Sequence, residues 1–241
     1  MGLAMFALRL YQNTYDFEPT TGLHFLSVAG IALAALIALS GILAWISTRN
    51  ESRERPLFAD HFPVPDRSTI VFVSASLLFA AGGVMLGVHA ISTGAGIAPL
   101  VTAVFALASF LGFLLLTRQM RGGVAFSVAA ILPALFFSAF WVLSLYLPSA
   151  NDPILARYYL PILAAAVSAF AFAQLSGFFR GETRVRSFCF TAELAVMLDI
   201  AAVAELNQHS LLFAAGAVML SAFLMLRENA AGSAEIPAEN N

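Results

Sequence analysis

Three carboxylic acids lie within one apolar stretch of the chain, and they are the residues whose type and position could do chemistry. Residues 185–206 read VRSFCFTAELAVMLDIAAVAEL, in which Glu193, Asp199 and Glu205 stand among apolar side chains. A carboxylate near the middle of a bilayer costs at least ~2.5–3.5 kcal/mol. Each acid must therefore be protonated, be paired or face water, and neighbouring helices must supply the partners.

The three acids do not share a helix face. At about 100° per residue their directions differ by about 120°, which disfavours a proton wire along one face. We predict that Gln174, at the same depth on the preceding helix, bonds to the carboxyl of Glu193. We also predict that Arg157 reaches Asp199 or Glu205, because an unpaired buried charge would cost several kcal/mol.

Three histidines fall at one set of predicted helix ends. His24, His89 and His209, together with Glu205, have donor types that suit zinc. No HExxH, HxxxH or paired-cysteine element is present, so the spacing is unspecific and we predict no metal, with these histidines as weak candidates. The alternatives are a cluster that titrates near neutral pH and plain solvated histidines at helix ends.

Composition indicates a membrane protein. The chain is 60% hydrophobic and only 11% charged, whereas about a quarter of the residues in soluble domains are charged. No basic surface could neutralise a row of phosphates, which excludes nucleic-acid binding. All twelve basic residues are Arg, so a lysine Schiff base is impossible. We find no cofactor motif and predict no cofactor.

Apolar periodicity predicts an all-α, polytopic bundle of seven transmembrane helices. Residues 1–21 form an N-terminal interfacial segment, residues 22–227 the transmembrane domain, and residues 228–241 a disordered tail. Glycines at 82, 83 and 87 predict a close helix contact or a kink, and Pro133 predicts a kink inside its helix. The predicted spans are 22–47, 68–92, 97–117, 124–147, 153–179, 186–206 and 209–226.

The distribution of arginine predicts the orientation. The loops after the first, third and fifth spans, with the position after the seventh, hold ten of the twelve arginines. By the positive-inside rule the N-terminus is outside and the C-terminus is cytoplasmic. We expect a multi-pass protein of a bacterial cell membrane.

Buried acids and helix-interrupting prolines are features of transporter sites, so small-molecule transport, as a permease or the membrane subunit of a transporter, is the leading hypothesis. A non-catalytic sensor, scaffold or accessory subunit is the alternative. Its loop at 48–67 could contact anionic lipid or a membrane or cytoplasmic protein. An intramembrane enzyme is the third hypothesis. A polar cavity reaching Asp199 or Glu193 favours transport, sealed acids favour a scaffold, and a histidine within reach of a carboxylate favours an enzyme.

Overall fold

A computed structural model describes residues 1–16, 28–58, 62, 66–122, 127–150 and 159–234. These residues form helices and turns, and they contain no strand. The α-helices are α1 Gly2–Tyr15, α2 Val28–Ser47, α3 Asp66–Thr93, α4 Ile97–Met120, α5 Leu132–Ser149, α6 Tyr159–Gly177, α7 Val185–Ala202 and α8 Ser210–Ala234. Short 3₁₀ helices are Thr48–Asn50, Val128–Ala130, Phe178–Arg180 and Val203–Glu205.

Among the described residues, six helical segments are long and apolar enough to cross a membrane. This confirms the prediction of an all-helical protein with several apolar helices. The apolar part of α8, Ser210–Leu226, is shorter than these six. Helix α8 itself continues to Ala234, so its last turns occupy residues predicted to be disordered.

Helices α3 to α8 form a closed ring, because each packs on the next and α8 packs on α3. Two adjacent glycines of α3 permit these contacts. A Cβ on Gly82 would lie 2.7 Å from the Leu212 side chain of α8, and one on Gly83 would lie 3.0 Å from Ala106 of α4. These glycines therefore serve close helix contacts on two sides.

Helices α1 and α2 lie outside the ring, packed on each other and on α7. Helix α1 buries a polar face, which includes Arg9 and Gln12, while Leu3 and Tyr11 on its other side are exposed. This arrangement is the reverse of an amphipathic helix in water and suits an apolar surrounding. The predicted surface segment is thus largely a helix packed against the bundle.

Aromatic side chains fill the middle of the ring. The Phe79 ring of α3 lies 5.2 Å from Phe113, 5.3 Å from Phe137 and 6.3 Å from Phe172, measured between centroids. Trp141 stacks on Phe137, and its centroid is 4.6 Å from that of Phe213. These residues come from α3 and from four further helices, and we call them the aromatic layer: Phe79, Phe113, Phe137, Trp141, Phe172 and Phe213.

The end of the bundle at which α2 finishes and α7 begins carries several arginines and is called the basic end. There the loop after α2 buries Phe58 and Phe62. Phe58 stacks on Phe179 at 4.4 Å, and Phe62 contacts Phe178 edge-on at 5.3 Å. Phe58 and Phe62 therefore pack the described part of this loop against the residues that follow α6.

The proline predicted to kink a helix lies instead in a first turn. Pro133 is the second residue of α5, which follows the 3₁₀ helix Val128–Ala130. A proline in the first turn removes a donor that would have no intrahelical partner. The prediction of a kink at Pro133 is therefore wrong. Pro133 no longer supports a broken helix of the kind that transporters use.

Candidate functional site

A tight turn between α7 and α8 positions two titratable residues at the end opposite the basic end. The helical path of α7 continues through the 3₁₀ helix Val203–Glu205 and stops at Leu206, whose φ of 47° is left-handed. The amide oxygen of Asn207 then accepts a hydrogen bond from the backbone N–H of His209 at 2.9 Å. Glu205 and His209 are thereby fixed on the two sides of the turn.

Glu205 pairs with Arg9 of α1. The Arg9 Nε donates to Glu205 Oε1 at 2.7 Å, and Nη1 of the same guanidinium donates to Gln12 Oε1 at 2.6 Å. The Arg9 side chain is fully buried, and its guanidinium carbon lies 5.7 Å from the ring centroid of Tyr159. The predicted partner Arg157 lies outside the described residues, so the structure assigns Glu205 a partner that sequence reasoning missed.

Asp199 is fully buried between α6 and α8. Its Oδ2 accepts a hydrogen bond from Ser168 Oγ at 2.8 Å, whereas Oδ1 has no hydrogen-bond partner among the described residues. Gly216 of α8 faces the same carboxyl, because a Cβ there would lie 2.7 Å from Oδ2. The absence of a side chain at Gly216 makes room for the acid.

Glu193 and Gln174 have different partners, contrary to the predicted pair. The amide nitrogen of Gln174 donates to Ser187 Oγ at 3.0 Å, and its amide oxygen accepts from Thr191 Oγ1 at 3.3 Å. Glu193 accepts from Ser47 Oγ of α2 at 3.2 Å. Both polar side chains therefore serve helix packing, Gln174 between α6 and α7 and Glu193 between α7 and α2.

A cavity of about 500 Å³ opens between α3, α4, α5, α6 and the turn before α8. We call it the turn cavity. Neither Asp199 nor Glu193 lines it. Its polar lining is formed by His89, Ser144, Glu205, Asn207, Gln208 and His209.

His209 brings a buried imidazole to the turn cavity. Its side chain is 5% exposed, and Nδ1 has no hydrogen-bond partner among the described residues. Burial, followed by the nearby His89, lowers the pKa of His209 to about 4. The imidazole is therefore neutral near pH 7 and offers the cavity an uncharged group that can donate or accept a hydrogen bond.

The third histidine candidate for a metal site, His24, lies outside the described residues, whereas His89 and His209 share the turn cavity. Within the described part of the chain no group of three His, Cys, Asp or Glu side chains is arranged to hold a metal ion. The lone cysteine, Cys189, is buried.

Sequence reasoning missed Arg9, Ser168 and Gly216 as partners of the acids. Only Arg9 had a signal in its neighbourhood. Positions 2, 5, 9, 12 and 16, all buried, recur at helical spacing and include Arg9, Gln12 and Asp16. A polar stripe on an otherwise apolar helix indicates a face directed at protein in a lipid setting.

No protein-family model, curated protein or solved structure matches this chain. What the protein does must therefore be inferred from these contacts.

Proposed function

We propose that this chain is a multi-pass protein of a cell membrane that binds a small polar molecule in the turn cavity, as a permease or as the membrane subunit of a transporter. The observation that carries this proposal is the cavity itself, in which His89, Glu205 and His209 meet at one end of a ring of apolar helices. Pockets with apolar walls and a few convergent polar groups are the usual form of small-molecule sites.

The same proposal assigns seven spans, with the basic end in the cytoplasm and the turn cavity on the outer side. Support comes from Arg49, Arg53, Arg184 and Arg186, which all lie near the end of α2 or the start of α7. An excess of arginine is typical of cytoplasmic loops. Helix α8 is the seventh span, since as a helix of 25 residues it is long enough to cross.

The lining indicates the kind of molecule that would fit. Asn207 and Gln208 supply amides, and His209 supplies a neutral imidazole. The charge of Glu205 is already balanced by Arg9. These groups favour a polar ligand of low net charge, because a strongly charged one would find no uncompensated counter-charge among them.

Transport requires a route beyond the cavity. Asp199 lies six residues before Glu205, which is ~9 Å deeper along the helix. The aromatic layer, including Phe79 and Trp141, fills the centre of the ring, so a transport cycle would have to separate the contacts of that layer. Membrane transporters open a route of this kind by moving one group of helices against another.

A non-catalytic sensor, scaffold or accessory subunit is the second candidate. By the criterion stated for the acids, this candidate is favoured by Asp199, which is sealed against Ser168 and does not line the turn cavity. The filled ring centre favours it too. An enzyme, with Glu205 and His209 as acid and base, has less support because the pairing with Arg9 already occupies the carboxylate.

Cysteine labelling in proteoliposomes separates these candidates. In a Cys189→Ser background, Ser144→Cys reports on the turn cavity, Ser168→Cys reports on the surroundings of Asp199, and the exposed Leu111→Cys of α4 is the lipid-facing control. A charged, membrane-impermeant thiosulfonate is added from either side. Transport predicts labelling at both serine positions and none at Leu111→Cys.

Protection at Ser168→Cys under all conditions, with Ser144→Cys labelled, would contradict transport and support a sensor or scaffold. Protection at both serine positions would contradict the proposed binding site as well.

A further inference from the structure

A second cavity lies at the basic end, in the cleft between α2 and the start of α7. Its volume is about 430 Å³, and its walls include the aromatic rings of Trp45 and Phe190. Arg53, Arg184 and Arg186 also line it. We call it the arginine cleft.

Backbone hydrogen bonds hold the three arginines around the cleft. The N–H of Val185 donates to the carbonyl of Glu54 at 3.2 Å, and the N–H of Arg186 donates to the carbonyl of Ser52 at 3.2 Å. Arg53 stands between these two carbonyls, so the loop is fixed on both sides of it. Its side chain is presented to the cleft by a segment that is itself in a defined position.

The three arginines of the cleft differ from Arg180 in their side-chain contacts. Among the described residues none of Arg53, Arg184 and Arg186 forms a side-chain hydrogen bond or ion pair. Arg180, at the same end of the bundle, is in contrast paired with Glu182 at 2.9 Å. Three positive charges at one cavity repel each other unless an anion lies among them, and guanidinium groups match phosphate geometry well.

We propose that the arginine cleft binds the phosphate group of an anionic phospholipid. Its position decides between a lipid and a soluble anion. Trp45 is 55% exposed on the outward face of α2, close to the apolar residues Ile42 and Ile46, which are also exposed. Tryptophan at such a helix end is typical of the membrane interface, and basic pockets between spanning helices bind anionic headgroups.

The acyl chains would then lie along the exposed side of α2, and the phosphate would reach the arginines at the start of α7. The hydroxyl of Ser187 lines the same cleft and offers a further donor to phosphate oxygens. The binding site is thus built from two helices and the loop that joins α2 to the bundle, and it does not depend on the turn cavity at the other end.

The test uses the full-length protein in a neutral detergent. Phosphatidylglycerol, phosphatidylcholine and glycerol 1-phosphate are each titrated while the unfolding temperature is measured. We expect phosphatidylglycerol alone to raise the unfolding temperature. Arg184→Gln and Arg186→Gln should each raise the midpoint concentration of phosphatidylglycerol about fivefold, because one basic residue near the surface contributes about 1 kcal/mol to binding.

Arg180→Gln is the matched control, since it removes the same charge from an arginine that already has a partner, and it should leave the midpoint unchanged. Arg53→Gln leaves both backbone hydrogen bonds in place, so it tests the cleft even where a helix variant fails to fold. An equal response to glycerol 1-phosphate would assign the cleft to a soluble phosphate and overturn the lipid proposal. An equal response to phosphatidylcholine, or an equal loss in Arg180→Gln, would overturn it too.

Discussion

The guanidinium of Arg9 lies 2.7 Å from the carboxylate of Glu205, although the two residues are 196 positions apart in the chain. This contact joins α1 to the 3₁₀ helix that follows α7, and Glu205 also lines the turn cavity. Since Arg9 also bonds to Gln12, the ion pair is part of a small network in a buried setting, where loss of one member leaves the other without compensation.

Replacement of only one partner should therefore be costly. We expect Arg9→Met to lower the free energy of unfolding by about 3–5 kcal/mol, because it leaves the Glu205 carboxylate without its partner, and the double variant Arg9→Met/Glu205→Leu to recover most of this loss. The exposed pair Arg180 and Glu182 is the control, and its removal should cost only ~0–1 kcal/mol. Unfolding in mixed micelles measures both. A cost for Arg9→Met no greater than that for Arg180→Gln would contradict the role of the buried pair.

Ser168 supplies the hydrogen bond that Asp199 accepts. Ser168→Ala would leave both carboxyl oxygens without a described partner and should destabilise the protein by about 1–3 kcal/mol. Ser138→Ala is a matched control, because that buried hydroxyl donates only to the carbonyl of Leu135 in its own helix. The free energies of unfolding of the two variants should differ clearly. Equal values would mean that Asp199 does not depend on Ser168.

The gap left by Gly216 predicts a steric effect. Gly216→Ala would place a methyl group 2.7 Å from Asp199 Oδ2, and we expect a cost of about 1–3 kcal/mol for this overpacking. Gly41→Ala makes the same change in α2, where the added Cβ would have no described side chain or neighbouring helix within 4 Å, and should be neutral or stabilising. Thermal unfolding of both variants tests the difference, and a harmless Gly216→Ala would place α8 farther from α7 than described.

His209 predicts a dependence of stability on pH. The unfolded imidazole has a pKa of 6.5, and burial lowers that of the folded protein to about 4. The unfolded state binds the proton first, so the contribution of His209 is fully present above pH 6.5 and is lost as pH falls to about 4. At 1.36 kcal/mol per pKa unit this loss is about 3 kcal/mol.

His209→Asn should remove that part of the pH dependence, whereas His89→Asn, in the same cavity, should leave most of it in place. The free energy of unfolding of each variant is measured relative to that of the unsubstituted protein between pH 4 and pH 7. The carboxyl groups contribute equally to the pH dependence of both proteins, so the difference reports on the histidine. A pH profile that is unchanged in His209→Asn would contradict the assignment.

Much of the fold could be predicted from the sequence because a lipid bilayer restricts the backbone to a few structures. Long apolar segments must be helices, as every backbone polar group has to be satisfied internally, and residues 97–117 accordingly lie within the helix Ile97–Met120. Pro133 shows the limit of this reasoning. Its effect depends on whether it falls in the first turn or the middle of a helix, and an apolar stretch does not reveal where the first turn lies.

Partners of the acids were harder to predict. The pair of Arg9 and Glu205 depends on how a short helix packs on one nearly 200 residues later, and no local pattern encodes that contact. Gln174 and Glu193 were matched by depth alone, although depth does not fix the direction in which a side chain points. Ser187 and Thr191 lie on the face of α7 that Gln174 actually meets.

The ring of helices also has a consequence for how the chain is made. Its closing contact joins α3 to α8, where Gly82 meets Leu212, and α8 follows the other five helices of the ring in the chain. Until it arrives, the surface of α7 that holds Asp199 has no Gly216 beside it and must be shielded by lipid, water or an insertion factor. The ring therefore closes only after α8 has been made, and a chain shortened before α8 would leave the buried Asp199 at an open seam.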